Sequence, residues 1–153
     1  MLFRSTVANV ISGSGTLTQA GSGATVLTGT NTYSGVTTIS SGTLQVGSGG
    51  TSGSLGSGAV VDNGTLAFSR SDTITIANAI SGAGSVSIIG SGVTALTGVN
   101  TFSGGVTVGV GATLSIASSR ALGSGALALV GGVSVPASLK VTSTTTISNA
   151  ISV

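Results

Sequence analysis

The sequence predicts an all-β fold wound as a β-solenoid, and three observations carry that prediction. Gly and Ser supply 27 residues each and Thr 23, so three small types make up half of the 153 residues. Apolar residues recur with period two in runs of three to five, the pattern of short strands with Gly or Asn turns between them. Whole segments then return further along the chain at a nearly constant offset, and self-similarity at a fixed period marks a repeat architecture.

The strands follow in order. Thr16-Leu17-Thr18, Thr25-Val26-Leu27-Thr28, Val36-Thr37-Thr38-Ile39, Thr43-Leu44-Gln45-Val46, Thr65-Leu66-Ala67-Phe68 and Thr73-Ile74-Thr75-Ile76 each read as a short strand. Ser12-Gly13-Ser14-Gly15, Gly21-Ser22-Gly23, Ser41-Gly42 and Asp62-Asn63-Gly64 punctuate them. No ten-residue stretch has helical spacing and caps. Thr28-Gly29-Thr30-Asn31-Thr32-Tyr33-Ser34-Gly35 recurs as Thr97-Gly98-Val99-Asn100-Thr101-Phe102-Ser103-Gly104. Ala8-Asn9-Val10-Ile11-Ser12-Gly13-Ser14-Gly15 recurs as Ala77-Asn78-Ala79-Ile80-Ser81-Gly82-Ala83-Gly84 and begins again at Ser148-Asn149-Ala150-Ile151-Ser152; Leu55-Gly56-Ser57-Gly58-Ala59 recurs as Leu122-Gly123-Ser124-Gly125-Ala126. The chain therefore divides into a non-repeat segment 1–7, a unit 8–76, a unit 77–147 and the start of a third at 148–153. Each unit exceeds a propeller blade of about 40–45 residues and divides into three solenoid coils of about 23. About seven coils stacked some 4.8 Å apart give a rod roughly 30 Å long. Leu17, Leu27, Ile39, Leu44, Val46, Leu66, Ile74, Ile76 and Leu114 are expected to point inward, with Thr and Ser facing water.

Composition narrows the function. There is no Cys, His, Trp or Glu, and the only charges are Arg4, Asp62, Arg70, Asp72, Arg120 and Lys140. Zinc, haem and iron–sulfur sites need His or Cys, and two carboxylates this far apart in the chain make a poor Ca²⁺ cage; no metal or cofactor is expected. Four scattered cations leave no nucleic-acid footprint, despite a pI near 10.0. The longest apolar run, Ala126 to Val130, is five residues, against the roughly 20 a spanning helix needs. Four aromatics cannot build the two girdles of a membrane barrel. Disorder needs low hydrophobicity and high net charge; here 40% of residues are hydrophobic and the net charge is +2.

The Thr-Gly-x-Asn-Thr-(Tyr/Phe)-Ser-Gly core, with Val36-Thr37-Thr38-Ile39-Ser40-Ser41-Gly42-Thr43-Leu44 after it, resembles the autotransporter-associated β-strand repeat. This is the passenger-associated transport repeat of type V secretion. The resemblance covers Ile11 to Val153, its second copy carrying one extra residue within Gly109–Leu114. It implies a right-handed parallel β-helix displayed at the bacterial surface, a non-enzymatic stalk or adhesin scaffold whose repeats aid vectorial folding. It also implies a signal peptide and a C-terminal outer-membrane barrel; neither is read in these residues, so a fragment is expected, with membrane contact only through that barrel. Leu2-Phe3-Arg4-Ser5 fits no repeat position.

The repeat-motif positions are Asn31, Tyr33, Gly35, Gly42, Leu44, Asn100, Phe102, Gly104 and Leu114, all read as structural, with Tyr33 and Phe102 in the core rather than exposed to stack on sugars. Asp62 and Asp72 are the only carboxylates available to a glycosidase. Asp62 precedes a turn signal and Asp72 lies in a corner, so both are expected as turn and surface residues and no catalytic residue is assigned. Rival readings are a glycan-active β-helix with catalytic loops elsewhere, and a ligand- or ice-binding solenoid; the Thr pairs Thr73/Thr75 and Thr142/Thr144 do not recur at every coil. Expected partners are a host-surface or matrix ligand and further copies of the chain, joined end to end through open terminal coils.

Overall fold

A computed structural model describes residues 3–153. Apart from a 3₁₀ turn at Ser119–Leu122, its regular elements are all strands: β1 (Arg4–Val7), β2 (Leu17–Gln19), β3 (Ala24–Leu27), β4 (Thr37–Ile39), β5 (Thr43–Val46), β6 (Val60–Asp62), β7 (Thr65–Phe68) and β8 (Thr73–Ile76); then β9 (Ile80–Ser81), β10 (Ser85–Ile88), β11 (Val93–Leu96), β12 (Val106–Val108), β13 (Thr113–Ile116), β14 (Leu127–Leu129), β15 (Ser138–Val141) and β16 (Ile151–Ser152). Among the described residues no helix is long and apolar enough to cross a membrane.

The strands form three parallel sheets. The first has the order β1-β3-β5-β7-β10-β12-β14-β16, the second β2-β4-β6-β9, and the third β15-β13-β11-β8. Eight strands in the first sheet mean that the chain winds round seven times, a parallel β-solenoid. The turn from β7 through β8 and β9 to β10 visits all three sheets, so the coil there is three-sided. Arg4–Val7, set apart from the repeats in the sequence, pairs with β3 and forms the outermost strand of the first sheet. Met1 and Leu2 lie outside the described residues.

The core is a set of stacked columns. Leu27, Val46, Phe68 and Ile88 lie one above another, as do Leu44, Leu66, Val86 and Val106, and all are at most 2% exposed. Of the nine residues expected inside, seven are buried; Leu17 and Ile74 are half-buried and pack against the same cluster. Each buried Leu, Ile or Phe contributes about 1.5–3 kcal/mol, which lets short strands of low intrinsic stability hold.

Coil length differs from the reading. Along the first sheet Arg4 lies beside Ala24, Ala24 beside Thr43, Thr43 beside Thr65 and Thr65 beside Ser85. Val86 then lies beside Val106, Val106 beside Leu127 and Leu127 beside Ile151. Every turn but the last is shorter than the length of about 23 expected from dividing the repeat by three. Three turns from Ala24 reach Ser85, yet the repeat equivalent of Ala24 is Val93, well beyond it and on the third sheet. The sequence repeat thus advances three turns plus one side. A three-sided coil permits this, because the repeat can restart on the next side with its neighbours still in register.

Candidate functional site

The repeat motif occupies one corner of the coil in two places. Residues 28–35 run from β3 to β4, and 97–104 run from β11 to β12, one side further round. Its asparagine is the working part. Asn31 Oδ1 accepts from the Ile11 N–H at 2.9 Å, and its Nδ2 donates to the Ser54 carbonyl at 2.8 Å. Asn100 Oδ1 accepts from the Ile80 N–H at 2.9 Å, and its Nδ2 donates to the Ala121 carbonyl at 2.7 Å. Each amide therefore ties its own coil to the one before and the one after, using the donor and the acceptor that only Asn and Gln combine in an amide. Both asparagines are 5% exposed, so those bonds are shielded from water.

The other motif positions serve the same corner. Tyr33 and Phe102 are buried, and Tyr33 Oη lies 2.7 Å from Thr37 Oγ1. Leu44 and Leu114 are core residues. Gly35 and Gly104 lie over the backbone of Gly15 and Gly84, where a Cβ would overlap the carbonyl. Gly42 has φ +69° and also sits against backbone, that of Gly21 to Gly23.

The sequence reading missed a second pair of asparagines. Asn78 Nδ2 donates to the carbonyls of Gly56 and Gly58 at 2.9 and 2.6 Å; Asn149 Nδ2 donates to those of Gly123 and Gly125 at 3.2 and 2.7 Å. The recurrences of Asn78 as Asn149 and of Leu55–Ala59 as Leu122–Ala126 are thus two halves of one clasp. The signal was visible, since both segments return at similar offsets.

Asp62 corrects an expectation. It is fully buried in β6, not a surface turn residue. Its column is Gln19–Ile39–Asp62, and the middle member is a core residue. Oδ1 accepts from the Gly64 N–H at 3.0 Å, whereas among the described residues Oδ2 has no hydrogen-bond partner. A Cβ at Gly84 would fall on this carboxyl. Burial pushes the Asp62 pKa above 3.8, against the opposing pull of the Gly64 and Leu66 N–H groups.

Asp72 forms a two-point pair with Arg70, Nε to Oδ1 at 2.8 Å and Nη2 to Oδ2 at 2.7 Å. The hydrogen bonds from Arg70 hold its pKa below 3.8. Arg70 Nη1 also donates to the Gly53 carbonyl. A carboxylate fully buried in β6 and one neutralised at a corner do not form an acid–base couple. Among the described residues no three His, Cys, Asp or Glu come together.

The coil that carries Thr43 round to Thr65 is longer than the coil on either side of it, and the extra length is spent in a loop, Gly47–Gly53. Gly47, Gly49 and Gly53 have φ of +80°, +91° and +101°, conformations that side chains rarely adopt. Beside this loop the third sheet stops: β8 is its last strand. A cleft of about 410 Å³ opens between Thr51–Leu55 and β8 and continues past Ala77 into a shallower one. Its apolar lining is Val46, Leu55, Ile74 and Ile76, with Ser and Thr hydroxyls beside them. Arg70 bridges the coils at one end and Asn78 at the other.

A family model described as the passenger-associated-transport-repeat matches residues 17–46 and 89–116. No curated protein and no solved structure matches the chain. The first matched segment contains β2 to β5 and the second β11 to β13, each with one Asn-centred corner. Two segments of this single β-solenoid, three turns and one side apart, thus match the passenger-associated transport repeat.

Proposed function

We propose that this chain is a structural segment of an autotransporter passenger: a β-solenoid stalk displayed or secreted at the bacterial surface, adhesin-like and without catalytic activity of its own. The observation that carries this reading is the match of two transport repeats to coils whose corners are tied to both neighbours by Asn31 and Asn100. Such coils fold by adding to the one already in place, because a solenoid is stabilised by nearest-neighbour interfaces. A chain leaving a pore as an extended thread folds outside it, and each new coil blocks backsliding. The corner asparagine suits that process, since its acceptor is satisfied by the preceding coil and its donor by the one that follows.

The test is secretion. The chain is placed upstream of an outer-membrane translocator barrel in a Gram-negative host. Wild type should reach the surface in a protease-resistant form, and the Asn31→Asp, Asn100→Asp double variant should stall or be degraded. Export of the double variant at wild-type rate would overturn the reading. Incubation with a panel of neutral and acidic polysaccharides should show no turnover; cleavage abolished by Asp72→Asn would overturn the non-enzymatic assignment. The same scaffold offers paired β edges: β1 and β16 are the outer strands of the eight-stranded sheet, and six charges give little repulsion. End-to-end self-association therefore belongs to the proposal, and a monomer persisting at high concentration in sedimentation would remove it. A host-surface or matrix ligand is the partner such a stalk would present itself to.

A further inference from the structure

We propose that the cleft beside β8 binds an extended, uncharged peptide segment, which pairs with the free edge of that strand. The Val93 N–H donates to the Asp72 carbonyl and the Thr97 N–H to the Ile76 carbonyl. Residues 72, 74 and 76 therefore turn their main-chain groups toward β11. Since alternate residues of a strand point their N–H and C=O to opposite edges, those of Thr73 and Thr75 face the other way. Among the described residues they have no hydrogen-bond partner. In a regular solenoid the preceding coil would pair with them; here the Gly47–Gly53 loop takes up the extra length and bonds by its backbone to Ser69 and Ser71, short of the strand, while the side chains of Arg70 and Asn78 link the two coils on either side of β8.

A free strand edge is a template for another extended chain. β8 has four residues, so the edge is about 13 Å long and presents two hydrogen-bonding residues. The chemistry of the cleft selects the occupant. Leu55, Ile74 and Ile76 favour small apolar side chains on one face of the segment, and the exposed hydroxyls of Thr51 and Ser52 suit a polar alternate face. Among the described residues the only charged side chain in the lining, Arg70, is neutralised by Asp72, so a charged residue has nothing to pair with. Among the described residues no aromatic ring lines the cleft to stack on a sugar.

The probe is the peptide Ac-Ser-Val-Thr-Val-Ser-NH2, titrated into the ¹⁵N-labelled full chain. Binding should be saturable and should slow hydrogen exchange of the Thr73 and Thr75 amides by roughly tenfold or more, with amides of β12 and β14 unchanged. The same peptide methylated on every backbone nitrogen should not bind. Thr75→Pro, which removes one edge donor at a position where a strand edge tolerates proline, should weaken binding by about tenfold. If Thr75→Pro does not fold, the two peptides on the native chain decide the matter. Absence of saturable slowing, equal slowing by the methylated peptide, unchanged affinity of a folded Thr75→Pro variant, or slowing by maltohexaose and not by the peptide would each overturn the proposal.

Discussion

A corner asparagine joins three coils through one amide, and two predictions at the scale of single residues follow from what is buried around such groups. Asn100→Asp keeps the size but removes the donor to the Ala121 carbonyl and places a carboxylate in a site 5% exposed. Breaking a buried bond and adding an unpaired charge should cost about 2–4 kcal/mol in urea unfolding at neutral pH. The loss should shrink on acidification, when the new carboxyl protonates. Asp62→Asn should act in the opposite sense. Asp62 is a charge already in the wrong medium: fully buried, one oxygen unpartnered, and its pKa raised above 3.8 by burial. A raised pKa means the folded state binds the proton more tightly than the unfolded one. Its stabilising contribution is therefore present below 3.8 and is lost as pH rises through the folded value. The amide of the variant is neutral at every pH, so the substitution should gain about 1 kcal/mol or more at neutral pH and nothing under strongly acid conditions. Asp72 contributes in the reverse direction, since Arg70 lowers its pKa: its share is present above 3.8 and fades as pH falls through the lower folded value.

At the scale of the element, stacking decides which glycines are replaceable. A Cβ on Gly58 would overlap the Gly35 carbonyl in the coil beneath, whereas one on Gly50 meets nothing within 4 Å and its φ is ordinary. Gly58→Ala should therefore cost about 3 kcal/mol or more, and Gly50→Ala should change stability by less than about 0.5 kcal/mol; thermal unfolding of the two variants separates them. The same distinction explains what the sequence allows one to read. Period two and Gly punctuation are local, so the six strands read from them fold within a residue of the expected places, and most of the expected leucines point inward. Asp62-Asn63-Gly64 also reads locally, as a turn. Its burial depends instead on which residue lies in the coil below, and that residue is Ile39 only because of where the turn closes. The Asn78 and Asn149 clasps and the β8 cleft depend on coil length in the same way. Whatever depends on the neighbour one turn away is hidden, because the repeat period is not a whole number of turns.

For the molecule as a whole, that mismatch separates the sequence repeat from the structural unit. The longer period records how the sequence recurs, while the unit of stability is a single turn whose strands meet only the turns on either side. Removal of residues 85–104 tests this. Thr65 pairs with Ser85 and Val86 with Val106, so the excision removes one whole turn and brings β12 onto β7, with Leu66 opposite Val106 and Phe68 opposite Val108. It likewise brings β13 onto β8, with Thr73 opposite Thr113 and Ile76 opposite Ile116. All the apolar columns close again. The Ile80 N–H loses its acceptor on Asn100, which sets a cost near that of one buried hydrogen bond, about 1–3 kcal/mol. The shortened chain should keep the β-sheet circular dichroism of the parent and unfold cooperatively, with a urea dependence reduced in proportion to the lost surface. Removal of residues 85–94 instead places the second half of one turn over the first half of another, turning Leu96 and Phe102 away from their columns. That chain should not fold. Equal behaviour of the two deletions would mean that the longer sequence repeat, and not the single turn, is the cooperative unit.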